Sequence, residues 1–293
     1  MSRITIKQLL LAGSHFGHLT RRWNPRMRPY IFMQKNGVHI LDLKKTHVLL
    51  EEAANRLGSI VSKGGDVLFV GTKDQARDVI KEEAERCGMF YVNERWLGGM
   101  LTNFRTIRNS IRTLEMLEAK GKDGTYDRIR KKEILSIERQ KEKLVNVLGG
   151  IRNMKRLPQA MFVVDTIKED IAIKEAIKLG IPVFAICDSN SDPSVVDYVI
   201  PANDDAYKSI AIITNVLADA IDEGRVLRKE SSFGVEGEQD ENENPDQKPA
   251  ARRRRKKEGV VAVARAEGAP EAPAAPEAPA APEAPAAPEA AAE

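Results

Sequence analysis

The stretch HFGHLTRRWNPRMRPYI, residues 15–31, sets two histidines three positions apart and follows them with four arginines and no acidic residue. His15 and His18 could face one way on a helical turn and begin a metal site. However, no cysteine stands nearby and the segment contains no carboxylate, so a tetrahedral ligand set is not completed locally. A second candidate set is Asp188, Asp204 and Asp205, near expected strand ends where open α/β sheets gather their ligands; a hard cation is one reading, helix capping and turns the other. Gly71, Thr72 and Lys73 fall between an apolar run and a helical pattern, where an anion can meet a helix N-terminus. Neither G-x-x-x-x-G-K-[ST] nor G-x-G-x-x-G is completed there, and a plain strand-to-helix turn is the default. For catalysis, there is no G-x-S-x-G elbow. Asp165 and Asp188 could meet above a sheet, but nothing marks a substrate pocket. Neither catalytic, metal-binding nor cofactor-binding residues are expected.

The arginines carry a stronger signal. Over the whole chain the net charge is only +3, yet it is sharply segregated. Residues 1–35 hold seven Lys and Arg against no Asp or Glu, and residues 95–156 hold sixteen against seven, whereas 36–94, 157–230 and 231–293 are each net acidic. Two basic segments on an otherwise acidic chain point to a nucleic-acid partner met through particular surfaces. In the first segment Arg21, Arg22, Arg26 and Arg28 can pair phosphates, and Trp23 can stack on a base or pack internally. In the second, RWLGGMLTNF contributes Arg95 and Asn103, then Arg105, Arg108 and Arg112 recur at helical spacing. DRIRKK adds Arg128, Arg130, Lys131 and Lys132, and GGIRNMKR adds Arg152, Lys155 and Arg156. No zinc finger, RRM core motif or KH loop is present, so recognition of RNA shape and backbone is expected.

The elements that must position these residues alternate. DVLFVG, MFYV, QAMFVVD, IPVFAICD and DYVIP read as strands, and helical patterns over 43–63, 74–86, 166–180 and 205–229 separate most of them. Such alternation implies a parallel sheet covered on both faces. Thr166 and Glu169 have capping-box spacing, and Asn36-Gly37 marks a hairpin. Between 103 and 152 the strand signal stops. Ile107, Ile111, Leu114 and Leu117, then Ile134, Ile137, Leu144 and Leu148, form narrow apolar seams around a turn at 121–127. Two antiparallel helices zipped into an inserted coiled-coil hairpin fit this pattern; two ordinary packed helices are the alternative. Residues 231–293 combine an acidic stretch, RRRRKK and three EAPAAP repeats, a composition expected to be disordered. No apolar run is long enough to span a membrane. Cys87 and Cys187 read as buried free thiols of a reducing, cytoplasmic compartment.

Three blocks, IKQLLLAGSHFGHLTRRWNPRMRPYIF, RWLGGMLTNF and LPQAMFVVDTIKEDIAIKEAIKLGIPVFAICDSNSDP, together resemble the bacterial ribosomal protein S2 family over about residues 1–229. The resemblance implies a flavodoxin-like domain over 1–230, with a parallel five-stranded sheet and the 103–152 coiled-coil insertion. It also implies a structural role in the small ribosomal subunit, bound to small-subunit rRNA. Neighbouring ribosomal proteins would be partners, among them the large mRNA-binding protein built of OB-fold repeats. It does not extend to the 231–293 tail. The rival reading is a nucleotide-binding or RNA-modifying α/β enzyme using Gly71–Lys73 or Asp165 and Asp188.

Overall fold

The computed structural model describes residues 3–122 and 130–237, without the side chains of 121–122 and 231–237. Arg128, most of the expected 121–127 turn and the tail beyond Gly237 lie outside the described residues. Five strands, β4 (Val67–Val70), β5 (Phe90–Val92), β6 (Ala160–Val164), β7 (Val183–Cys187) and β8 (Tyr198–Pro201), form a parallel sheet in the order β5-β4-β6-β7-β8. Its register runs from Leu68 opposite Phe90 and Met161 to Ile186 opposite Ile200. The order reverses at β4, so the C-terminal ends of β4 and β6 flank the crevice where such sheets take ligands.

Strand periodicity divides the core in two. Phe69, Phe162, Val164, Phe184 and Ile186 face one side, and Leu68, Val70, Met161, Val163 and Ala185 the other. Against the first face pack α1 (Ile6–Leu11), α2 (Leu43–Ser62), α3 (Arg77–Arg86) and α7 (Tyr207–Gly237), with Ile210, Ile213, Leu217 and Ile221 of α7 fully buried as the sequence predicts. Against the second pack α6 (Asp170–Leu179), the loop carrying Trp96 and Met100, and the base of the helix pair α4 (Phe104–Lys122) and α5 (Lys131–Leu148). Arg152, just past α5, reaches Glu118 on α4 at 2.7 Å, and Arg108 near the start of α4 donates to the Met154 carbonyl. The second helix therefore returns along the first. Ile107, Ile111, Leu114 and Leu148 are buried, whereas Leu117, Ile134, Ile137 and Leu144 are only half-buried, so the seam loosens away from the body.

Four local expectations change. The segment 15–31 contains an unforeseen strand, β1 (Phe16–Leu19), which pairs antiparallel with β3 (Val38–Leu41); β3 also pairs with β2 (Ile31–Lys35) in the expected hairpin. Val48, one of the apolar positions at helical spacing in 43–63, is not a core position of α2: it is 63% exposed, and Thr46, Leu50 and Ala54 turn inward instead. The capping box at Thr166 and Glu169 does not form. Asp165, at φ +71°, accepts from the Ile167 and Lys168 amides, and the Glu169 carboxylate turns to Thr72. The last helix continues past residue 229 to Gly237.

Candidate nucleic-acid interface

The first basic segment is anchored rather than loose. Gly17 lies so close to the 188–189 loop that a Cβ there would sit 2.8 Å from Ser189 Oγ. The His18 amide donates to that hydroxyl at 2.8 Å, and the Asn24 amide donates to the Ser189 carbonyl. Trp23 packs its ring on His39, centroids 5.1 Å apart, and is half-buried. One side of the ring is thus turned to the protein, and the residue keeps part of its surface exposed. Arg26 is held by Asp192 at 2.5 Å and by Ser194. The side chains of Arg21, Arg22 and Arg28 are exposed and have no ion-pair or hydrogen-bond partner among the described residues.

The second basic segment sorts the same way. Arg95, Arg105, Arg130, Lys131, Lys132 and Lys155 are exposed and unpartnered among the described residues. Asn103 accepts from the Thr106 hydroxyl at 2.9 Å in the first turn of α4. Arg108 is tied to the Met154 carbonyl, Arg112 to Asn109 at 3.3 Å, Arg152 to Glu118, and Arg156 to Asp66 and the Gly64 carbonyl. Arg108 and Arg152 link the two helices near their base and Arg156 links the chain after α5 to the turn before β4, whereas the Arg112 contact stays within one turn of α4.

At the crevice, the cations are taken up by the protein's own acids. The Lys73 ammonium lies 2.8 Å from Asp204, 2.6 Å from Asp205 and 3.5 Å from Asp165. Burial disfavours its charge, but hydrogen bonds to Asp204 and Asp205 outweigh this and raise its pKa. The Thr72 amide and hydroxyl both donate to Glu169. A loop that would cradle phosphate thus commits its donors to the protein's own carboxylates. His18 lies on the strand β1 rather than on a helical turn; its Nδ1 is 3.0 Å from Asp188 and its Nε2 3.3 Å from Asp205. The Asp188 carboxylate beside it raises its pKa. Asp204 is fully buried, and burial together with the charges of Asp188 and Asp165 pushes it up to about 7. His18, Asp188 and Asp204 each offer a ligand atom, all within 4.8 Å of one another, and could hold a divalent cation. Sequence reasoning considered the histidine and the aspartates separately; the β1 strand that joins them was the missing piece.

The family model for ribosomal protein S2 matches residues 9–224. A relative from Chloroherpeton thalassium, described as small ribosomal subunit protein uS2, is 59% identical over 230 residues, which cover 78% of this chain and 92% of the relative. Another of the same description, from Chlorobaculum parvum, is 56% identical over 247 residues, covering 84% and 98%. With the family model matched over most of the described chain, and with relatives 56–59% identical over more than nine-tenths of their own length, this chain belongs to the ribosomal protein S2 family.

Proposed function

We propose that this protein is a structural constituent of the small ribosomal subunit that binds small-subunit rRNA through two basic surfaces and catalyses no reaction. The observation that carries the reading is the division among its cations. Lys73, Arg26, Arg108, Arg152 and Arg156 satisfy the protein itself, whereas Arg21, Arg22, Arg28, Arg95 and Arg105 are exposed without partners among the described residues. Arginines arranged this way suit backbone phosphates, with recognition by shape rather than by base edges. Other small-subunit proteins would pack against the remaining surface, including the large OB-fold mRNA-binding protein that the family resemblance implies. The enzyme reading is less favoured, because Lys73 and the Thr72 amide are already occupied.

The test is rRNA binding by the full chain as a function of salt. Replacing Arg21, Arg22 and Arg28 together by Gln is expected to weaken binding and flatten the plot of log affinity against log salt. The slope should change by roughly 0.7–0.9 for each phosphate that is no longer neutralised. An unchanged slope would remove this segment from the interface.

A further inference from the structure

Glu175 is an acidic residue on the inward face of α6, only 7% exposed, among Ala172, Ile173 and Ala176. A carboxylate so placed is tolerated only when its lone pairs are filled. Here five donors converge on it, all from the loop that leads into α4. Oε1 accepts from Trp96 Nε1 at 3.1 Å and the Gly99 amide at 2.7 Å. Oε2 accepts from the amides of Leu101 and Thr102, both at 3.0 Å, and from the Thr102 hydroxyl at 3.1 Å. Burial works against ionisation, but the amides of Thr102 and Gly99 and the Trp96 indole outweigh it, and the carboxyl is held below its ordinary range.

This loop is one of the two legs by which the α4–α5 pair joins the sheet. The other leg, after α5, is seated differently: a Cβ on Gly150 would lie 2.2 Å from the Tyr91 carbonyl, so the backbone packs directly against β5. One leg is therefore seated by close backbone packing, whereas the other combines the buried side chains of Trp96, Met100 and Leu101 with one carboxylate that gathers its amides. Arg95 precedes the latched loop, and Asn103 and Arg105 follow it. We propose that Glu175 is a latch that fixes the direction in which the α4–α5 pair leaves the α/β body, and so a positioning residue for the nucleic-acid contacts of Arg95 and Arg105. The positioning role rests on the rRNA-binding reading; the latch itself does not.

Glu175→Gln keeps the shape but replaces one acceptor oxygen by an N–H₂ group, which must then face N–H donors. In the full chain, the amides of Gly99, Leu101 and Thr102 are expected to exchange with deuterium at least about tenfold faster. Val163 and Ala185, inside the sheet, should stay unchanged. Spin labels on cysteines introduced at exposed Lys81 and Ser136 should report a broadened distance distribution between body and α5. Affinity for rRNA should fall about tenfold. Thr102→Ala, which removes one donor, provides a milder variant if the first fails to fold; it should accelerate the same amides by a few-fold. If exchange and distances are unchanged, or if sheet amides accelerate equally, Glu175 is an ordinary core residue and the latch is overturned. If the loop is released and rRNA affinity is unchanged, the latch stands and the assignment of Arg95 and Arg105 to the rRNA contact falls.

Discussion

Arg26 and Arg28 stand two positions apart and have different fates. Arg26 is paired with Asp192, while Arg28 has nothing acidic within reach among the described residues. Residue type says only that both carry charge; the partner decides which is available to a phosphate. Glu175 shows the converse, an acid whose value lies wholly in what surrounds it. Its folded pKa is depressed, so its stabilising contribution is complete above the ordinary carboxylate value and is lost as pH falls through the lower folded value. Denaturant unfolding followed from neutral pH down to about pH 3 should show stability falling on the acid side. Glu175→Gln should start lower at neutral pH and lose part of that acid slope. An identical slope in both proteins would mean that other carboxylates carry the whole acid response. The residue was detectable in principle: an acid three positions from Ala172 on the apolar face of a short helix is anomalous, though its partners lie more than seventy positions away.

Among elements, the helix pair is the most uneven. Its seam is buried near the body at Ile107, Ile111 and Leu148 and half-buried further out at Ile134 and Ile137. Truncating Ile111 to Ala removes a side chain that also packs against the sheet-side core, and is expected to cost about 2–5 kcal/mol. Ile137→Ala, with less to lose, should cost clearly less; denaturant titration of both variants checks the contrast. The strands were readable because parallel, doubly covered strands are continuous apolar runs bounded by turns. By contrast β1, FGHL, has no such run. It is a strand because β3 offers it an edge and Gly17 lets it lie against Ser189. The capping box at Thr166 and Glu169 failed for a similar reason: the nearby Thr72 amide and hydroxyl compete for Glu169 and win.

For the whole molecule, the sheet separates two cores and gathers Lys73, His18 and several aspartates at one crevice. Both cysteines belong to these cores. Burial pushes Cys87 up to about 12 and raises Cys187 as well, so neither supplies thiolate near neutral pH. An aromatic disulfide reagent should find no reactive thiol in the native protein and two per chain after unfolding. Rapid labelling of the native state would contradict the packing at α3 or β7. Among the described residues no helix is long and apolar enough to cross a membrane.

The order of the five parallel strands and of the helices between them, the interruption near residue 103 and the segregation of charge were determined by the sequence itself. They depend on periodicity and composition, which are local properties. The fate of each charge was decided only by the tertiary structure. Lys73 meets three aspartates from two later loops, His18 meets Asp188 across 170 positions, and Glu175 reaches back to the 96–102 loop. Electrostatic and hydrogen-bond partners act over a few ångströms in space, whatever their separation along the chain. The opening stretch therefore carried a legible excess of positive charge, but not the knowledge that His18 and Arg26 would be taken by the protein while the side chains of Arg21, Arg22 and Arg28 stay exposed without a partner among the described residues.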